Sequence, residues 1–171
     1  FSVSHTTRRK RGREVNGKHY HFVSKEDFLQ LRDNDGFVEW AEVYENFYGT
    51  SYKEVEDKLT AGRILVLDID VQGARKIKEK YPDALFVFLV PPSMKELKRR
   101  LEKRDADDNI EVRLKIASEE FKQYAFYDYI VVNEDLDDAY KVLESVYIAH
   151  MNRSYRHRDF METHLLLESQ G

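Results

Sequence analysis

Five basic residues, Arg8, Arg9, Lys10, Arg11 and Arg13, fall within six positions, and Ser4, Thr6 and Thr7 stand immediately before them. Guanidinium groups bind phosphate oxygens through paired N–H···O bonds, so two of these arginines plus the hydroxyls would suit a phosphomonoester. A solvated charge run is the plainer alternative. A nucleic-acid duplex is a poor match, because the loop is a small footprint in a chain of net charge −4 and pI about 5.9.

Two carboxylates, Asp68 and Asp70, end an apolar run in LDIDVQG. There they could hold Mg²⁺ through water or accept hydrogen bonds from a base, while Asp70 could equally cap a helix beginning near Val71. Glu39 in FVEW lies among aromatics, with Tyr48, Gly49 and Thr50 close behind. A carboxylate in such surroundings is costly unless it has a donor partner. The N1–H and N2–H₂ edge of a guanine would supply two donors to one carboxylate; an exposed strand position is the alternative.

The elements that must position these residues follow from pattern and punctuation. Phe1–Ser4 reads as a strand end leading into the basic loop His5–Arg13. Ser24 followed by Asp27 resembles a helix N-cap, with Phe28 and Leu31 on one face and a stop at Gly36. Phe37–Tyr48 reads as extended, Ser51–Ala61 as a short helix ended by Gly62, Ile64–Ile69 as a buried strand and Val71–Lys80 as a helix. Ala84–Val90 is a second buried strand, and Ser93 caps a helix reaching Glu102. A polar stretch, Lys103–Asn109, leads into a helix ending near Tyr124, and Tyr129–Val132 is a third apolar strand. The last long helix places Leu136, Ala139, Tyr140, Leu143, Val146 and Tyr147 on one face. Apolar strands separated by helices predict an α/β fold with a parallel sheet, in which ligands bind beyond the carboxyl ends of the strands.

Composition narrows the classes. The chain has 171 residues, 42% hydrophobic and 13% aromatic, enough for one domain with its own core. No apolar run approaches the roughly 18 residues of a membrane span. With no cysteine, disulfide frameworks and thiolate zinc sites are excluded. The six histidines show no HExxH spacing. His19 and His21 would share a strand face, but solvated or structural histidines are the simpler reading and no metal site is inferred from them.

In combination the segments are more specific. SVSHTTRRKRGREVNGKHYHFVS, FVEWAEVYENFYGTS, LVLDIDVQGA and YIVVNEDLDDAY resemble guanylate kinases in order and separation, over nearly all of Phe1–Ala149. The resemblance implies a cytoplasmic enzyme of purine nucleotide metabolism, using Mg²⁺ and transferring the γ-phosphoryl of ATP to GMP, with no nucleic-acid or membrane partner. It implies a P-loop-kinase-like parallel core, an inserted mobile GMP-binding subdomain at about residues 5–60, and a short lid at about 103–113. These would form one domain over residues 1–171, with a tail, 150–171, of no assigned role. Carried over by position, Arg8, Arg11, Tyr20 and Tyr48 would hold the GMP phosphate. Ser4, Glu39, Thr50 and Asp70 would read guanine, and Asp68 would lie near the metal, through water. Arg104 and Arg113 match the lid arginines that neutralise the transferring phosphoryl, and Asn133 the residue near adenine. Phosphoryl transfer needs positioning and cationic stabilisation rather than a strong base, consistent with the lack of a candidate catalytic His or Cys.

The chain departs from the family pattern in three places. Arg9-Lys10 replaces a stretch that contains Pro in many members. In EKRDADDNIEVRL, Lys103 and Asp105 stand where relatives have glycines around the arginine. No phosphate-binding GxxxxGK[ST] loop is found; GREVNGKH at Gly12–His19 comes near, but His19 replaces the magnesium-binding hydroxyl and the match reads as chance. The expectation is therefore that the phosphate loop lies upstream of Phe1 and that these residues alone turn over essentially no ATP. The rival reading is a non-catalytic guanylate-kinase-like interaction domain that binds phosphorylated peptides. Glu39, Asp68 and Asp70 together favour the enzyme.

Overall fold

Ser24 caps the first helix as its spacing with Asp27 predicts: its Oγ accepts the Asp27 N–H at 3.0 Å and donates to the Asp27 carboxylate at 2.6 Å. That helix belongs to the first of two compact units in the computed structural model, Phe1–Ala84 and Leu85–Gly171. The structure describes residues 1–43, 45–104 and 109–166, without the side chain of Arg104.

The first unit is built on a four-stranded sheet. In chain order its elements are β1 (His5–Thr6), β2 (His21–Phe22), α1 (Lys25–Asp33), β3 (Phe37–Val43), β4 (Asn46–Ser51), α2 (Tyr52–Thr60) and α3 (Val71–Lys80). The strand order is β2-β1-β4-β3, with β1 parallel to β2 and antiparallel to β4. The expected extended run Phe37–Tyr48 is a hairpin, whose turn holds Glu45 at a positive φ of 63°. Register shifts between Phe37 and Glu39, a bulge-type irregularity that breaks alternation, and Phe37, Val38 and Glu39 are all buried in succession. Under the sheet, Phe28 stacks on Phe37 and Phe47 with ring centroids 4.5 and 5.4 Å apart. Each such pair adds about 0.5–1.5 kcal/mol beyond area burial.

Ser51 caps α2, and Gly62 follows it at φ 67°, a backbone region that glycine enters without a Cβ clash. The segment Ile64–Ile69 departs from expectation: it joins no ladder, and Ile64 and Val66 are exposed. A parallel core strand forms when neighbouring strands take up its backbone groups. Here a bond from the Ser2 N–H to the Val66 carbonyl, 2.9 Å, ties the segment down. Phe1–Ser4 likewise precedes the first ladder rather than forming its end.

The second unit holds β5 (Val87–Val90), α4 (Met94–Arg104), α5 (Ile110–Phe121), β6 (Tyr129–Val132) and α6 (Leu136–Met151), followed by short helical turns to Leu166. β5 and β6 pair in parallel, Val87 opposite Tyr129 through Val90 opposite Val132, as expected of an α/β fold. Phe88 stacks on Tyr127 at 4.4 Å, and Phe86 meets Phe126 edge-on. Ser93 caps α4 through the Glu96 N–H at 3.1 Å. That helix runs on through Lys103 and Arg104, residues of high helix propensity whose charge suits a helix C-terminus, so the polar stretch begins later than predicted. Residues 105–108 of the expected lid lie outside the described residues.

The apolar face predicted for α6 is only partly realised: Ala139 is buried, whereas Leu136 and Tyr140 are exposed. A two-stranded ladder is about 10 Å wide and cannot cover the whole stripe of so long a helix. The buried polar residue on α6 is His150, whose Nε2 lies 2.7 Å from Arg156 Nη2.

Candidate functional site

β1 is an inner strand, and Ser4 at its entry and Thr6 within it are buried despite their polarity. Ser4 immediately precedes it, and its carbonyl accepts the His21 N–H at 2.9 Å. Across the sheet, Thr50 on β4 is opposite Glu39 on β3. The Glu39 carboxylate accepts hydrogen bonds from the Thr50 hydroxyl and backbone N–H. Ser4 Oγ and Thr50 Oγ1 are 3.2 Å apart. Either hydroxyl can donate in that pair, which sits beside the Glu39 carboxylate.

Glu39 is 4% exposed. Burial raises its pKa above the ordinary carboxylate value, with Asp70 adding repulsion, while Thr50 and the Lys76 ammonium pull the other way. Asp70 adopts the capping role left open by the sequence: its Oδ1 accepts the Gly73 N–H at 2.8 Å at the start of α3. Ser4, Glu39, Thr50 and Asp70, the four residues expected to read a base, thus converge.

A second cluster gathers three of the four expected phosphate ligands. The Arg8 guanidinium lies over the rings of Tyr20 and Phe22, 5.4 and 5.7 Å from their centroids, and Tyr20 and Tyr48 meet at 6.2 Å. Burial raises the Tyr20 pKa, and the charge of the Asp68 carboxylate raises it further. Arg11 is exposed on the loop.

Glu14 is the residue that sequence reasoning missed here. Its two carboxylate oxygens take Arg8 Nη2 at 2.8 Å and Nη1 at 3.0 Å, and Oε2 also accepts the Arg11 backbone N–H at 2.7 Å. The Arg8 guanidinium beside it holds the Glu14 carboxyl down to about 2. A lone acid six positions after Arg8 in a basic loop was the available signal. The near-match to a phosphate loop, Gly12–His19, folds as turns with Gly12 and Gly17 at positive φ and opens no helix. His19 lies in that turn, its Nδ1 accepting the Val15 N–H at 2.8 Å, rather than on a strand with His21.

In the second unit, Arg113 is half-buried on α5, and Asn133 follows β6 with its N–H donated to the Val90 carbonyl at 2.7 Å. Arg104 ends α4; its side chain lies outside the described residues. Among the described residues no three His, Cys, Asp or Glu side chains converge as metal ligands, and no helix is long and apolar enough to cross a membrane.

Comparison with known proteins shows the chain's family. The guanylate kinase of Bartonella quintana is 49% identical over 158 residues, covering 91% of this chain and 72% of that protein. That of Caldanaerobacter subterraneus is 43% identical over 161 residues, 93% of this chain and 78% of the relative. The crystal structure of guanylate kinase from Anaplasma phagocytophilum superposes with a TM-score of 0.82 at 38% identity, covering 95% of this chain and 83% of that one. The guanylate kinase family model matches residues 1–150, and the chain belongs to the guanylate kinase family.

Proposed function

We propose that the protein transfers the γ-phosphoryl group of ATP to GMP, giving GDP and ADP, within cytoplasmic purine nucleotide metabolism. The observation that carries this reading is the buried Glu39 carboxylate, with the Ser4–Thr50 hydroxyl pair and Asp70 alongside. Guanine donates its N1–H and N2–H₂ to Glu39, while adenine, with an unprotonated N1 and no N2 amine, leaves that carboxylate desolvated and unpaired. Arg8, Arg11, Tyr20 and Tyr48 hold the phosphate, which is already an anion near neutral pH, so no general base is required.

A magnesium ion keeps several waters and takes other ligands from nucleotide phosphates, so the single exposed carboxylate of Asp68 fits its needs. Asp68 would hold such an ion through water, and the ion would supply neutralisation of the nucleotide's phosphate charge. Arg104 and Arg113 stabilise the transferring phosphoryl, and Asn133 contacts adenine. Residues 5–60 serve as the GMP-binding subdomain and 103–113 as the lid of a single domain.

Calorimetry with GMP and AMP, alongside an assay of ATP-dependent GDP formation, tests the reading. GMP should bind on the order of 10²-fold or more tightly than AMP, because a buried acceptor left unpaired costs a few kcal/mol. Equal affinities would remove Glu39 as the base reader.

A further inference from the structure

Gly73, the third residue of α3, has both carboxylates of the base site as its nearest neighbours. A Cβ at this position would lie 2.7 Å from Glu39 Oε2, 3.3 Å from Glu39 Cδ and 3.3 Å from Asp70 Oδ1. The first distance is far inside van der Waals contact, so a side chain of any kind requires the Glu39 carboxylate to move. Resting on the reading of Glu39 as guanine acceptor, we propose that Gly73 is a specificity-determining positioning residue, whose missing side chain makes the space in which Glu39 presents its carboxylate to the base.

The other close glycines show why this one acts on recognition rather than on folding. At Gly36 a Cβ would meet the Leu31 carbonyl oxygen at 2.8 Å, and at Gly49 it would meet the Phe37 and Phe28 rings at 3.0 and 3.1 Å. Those neighbours are backbone and core, which cannot yield. At Gly73 the obstructing atom is the far end of a side chain that can rotate away, and the backbone of α3 has a helical conformation that alanine favours over glycine. Gly73 also keeps its N–H on the Asp70 carboxylate whatever its side chain, so the helix cap survives substitution. The consequence of an added methyl therefore falls on the Glu39 carboxylate and its hold on Thr50.

The test is a double-variant cycle with Gly73→Ala and Glu39→Gln in the intact protein, reading the ratio of GMP to AMP affinity by calorimetry and Tm by thermal denaturation. Gly73→Ala should keep or raise Tm, weaken GMP by at least tenfold and leave AMP within about twofold. Glu39→Gln added to Gly73→Ala should lower the ratio little further, because the carboxylate is already displaced. If Glu39→Gln lowers the ratio but Gly73→Ala does not, or if the two losses simply multiply, the role of Gly73 is overturned while the reading of Glu39 stands. If Glu39→Gln leaves the ratio intact, the reading of Glu39 falls, and the role of Gly73 with it. A clear drop in Tm for Gly73→Ala would place the clash in the fold and also overturn the inference.

Discussion

Lys80 Nζ donates to the Val38 carbonyl oxygen at 2.7 Å, reaching from α3 to β3. One helical turn earlier, Lys76 Nζ donates to the Trp40 carbonyl and lies 4.4 Å from the Trp40 ring centroid. β3 is an edge strand, so carbonyls two residues apart point outward unpaired, about 6.7 Å from one another. A helix rises about 6 Å over four residues, and the two lysines match that spacing with α3 running antiparallel to the strand. Glu39 lies between the two anchored carbonyls.

Replacing either lysine by methionine keeps the aliphatic stem but leaves an edge carbonyl without its charged donor. Each substitution should lower stability by about 1 kcal/mol. Urea denaturation is the check, and unchanged midpoints in both variants would remove the clamp from the account.

Acidification should erode base discrimination before it affects an ordinary carboxylate. The raised pKa of Glu39, caused first by burial, means that its carboxylate begins to protonate above 4.5. The protonated form presents a donor where guanine also donates. The GMP to AMP affinity ratio should therefore fall with decreasing pH, by up to about tenfold per unit once below the raised value. Titration of the phosphate cancels in the ratio. The stability sign is opposite: a raised folded pKa contributes stability below 4.5 that is lost as pH rises through the folded value. A ratio constant down to pH 4.5 would contradict the assignment.

His5 sets a second pH dependence. Its ring lies 4.7 Å from that of His21 and meets Phe37 edge-on, and its Nδ1 is buried without a hydrogen-bond partner. Burial lowers its pKa below 6.5, His21 lowers it further, and Glu54 on α2 opposes the shift. The unfolded chain thus binds a proton more readily than the folded one. The stability contribution is complete above pH 6.5 and is lost as pH falls through 6.5 toward the depressed folded value. His5→Phe should flatten the change in denaturation midpoint between pH 7 and 5; parallel curves for parent and variant would count against it.

The Arg8–Glu14 pair titrates in a separate window. The Glu14 carboxyl is held at about 2, so its contribution is present above 4.5 and lost as pH falls from there toward 2. Glu14→Gln should cost about 1 kcal/mol or less near neutral pH, a cost that vanishes in acid. Arg8→Ala should weaken GMP by about 1.5–3 kcal/mol while leaving guanosine nearly unchanged. Equal losses for both ligands would make Arg8 structural.

Local signals in the sequence were reliable where the physics is local. The Ser24 and Ser93 caps, the span Val71–Lys80 and the parallel strands at Val87–Val90 and Tyr129–Val132 follow from capping chemistry and apolar runs. The burial of Ile64–Ile69 and of the α6 face could not be read, because both depend on how many strands lie alongside. The base-reading residues were recognisable only as an ordered set, since Glu39 alone looks like any strand carboxylate. Lys76, Lys80 and Gly73 were invisible for a different reason. Each matters through a partner brought near by folding, and nothing in an alternating or helical pattern specifies which carbonyl a lysine will find or which carboxylate a missing methyl will admit.

The parallel pairing of His5 with His21 turns the 14 residues between β1 and β2 into a closed ring of chain. Its closure is fixed by a two-residue ladder, and its entropic cost grows only slowly, by about 0.6 kcal/mol for each doubling of length. Arg9 and Lys10 form the exposed crown of that ring, whereas Arg8, Glu14 and Tyr20 are pinned to one another lower down and Glu14 also holds the Arg11 N–H. Extra residues inserted at Lys10 would enlarge the crown without separating the pinned groups. The same insertion between Asn16 and Tyr20 would pull apart the bridge that these two residues form and carry Tyr20 off the guanidinium. Length variation in this loop is therefore confined by geometry to Arg9 and Lys10, and a reporter grafted there must leave Arg8 and Arg11 in register with Glu14.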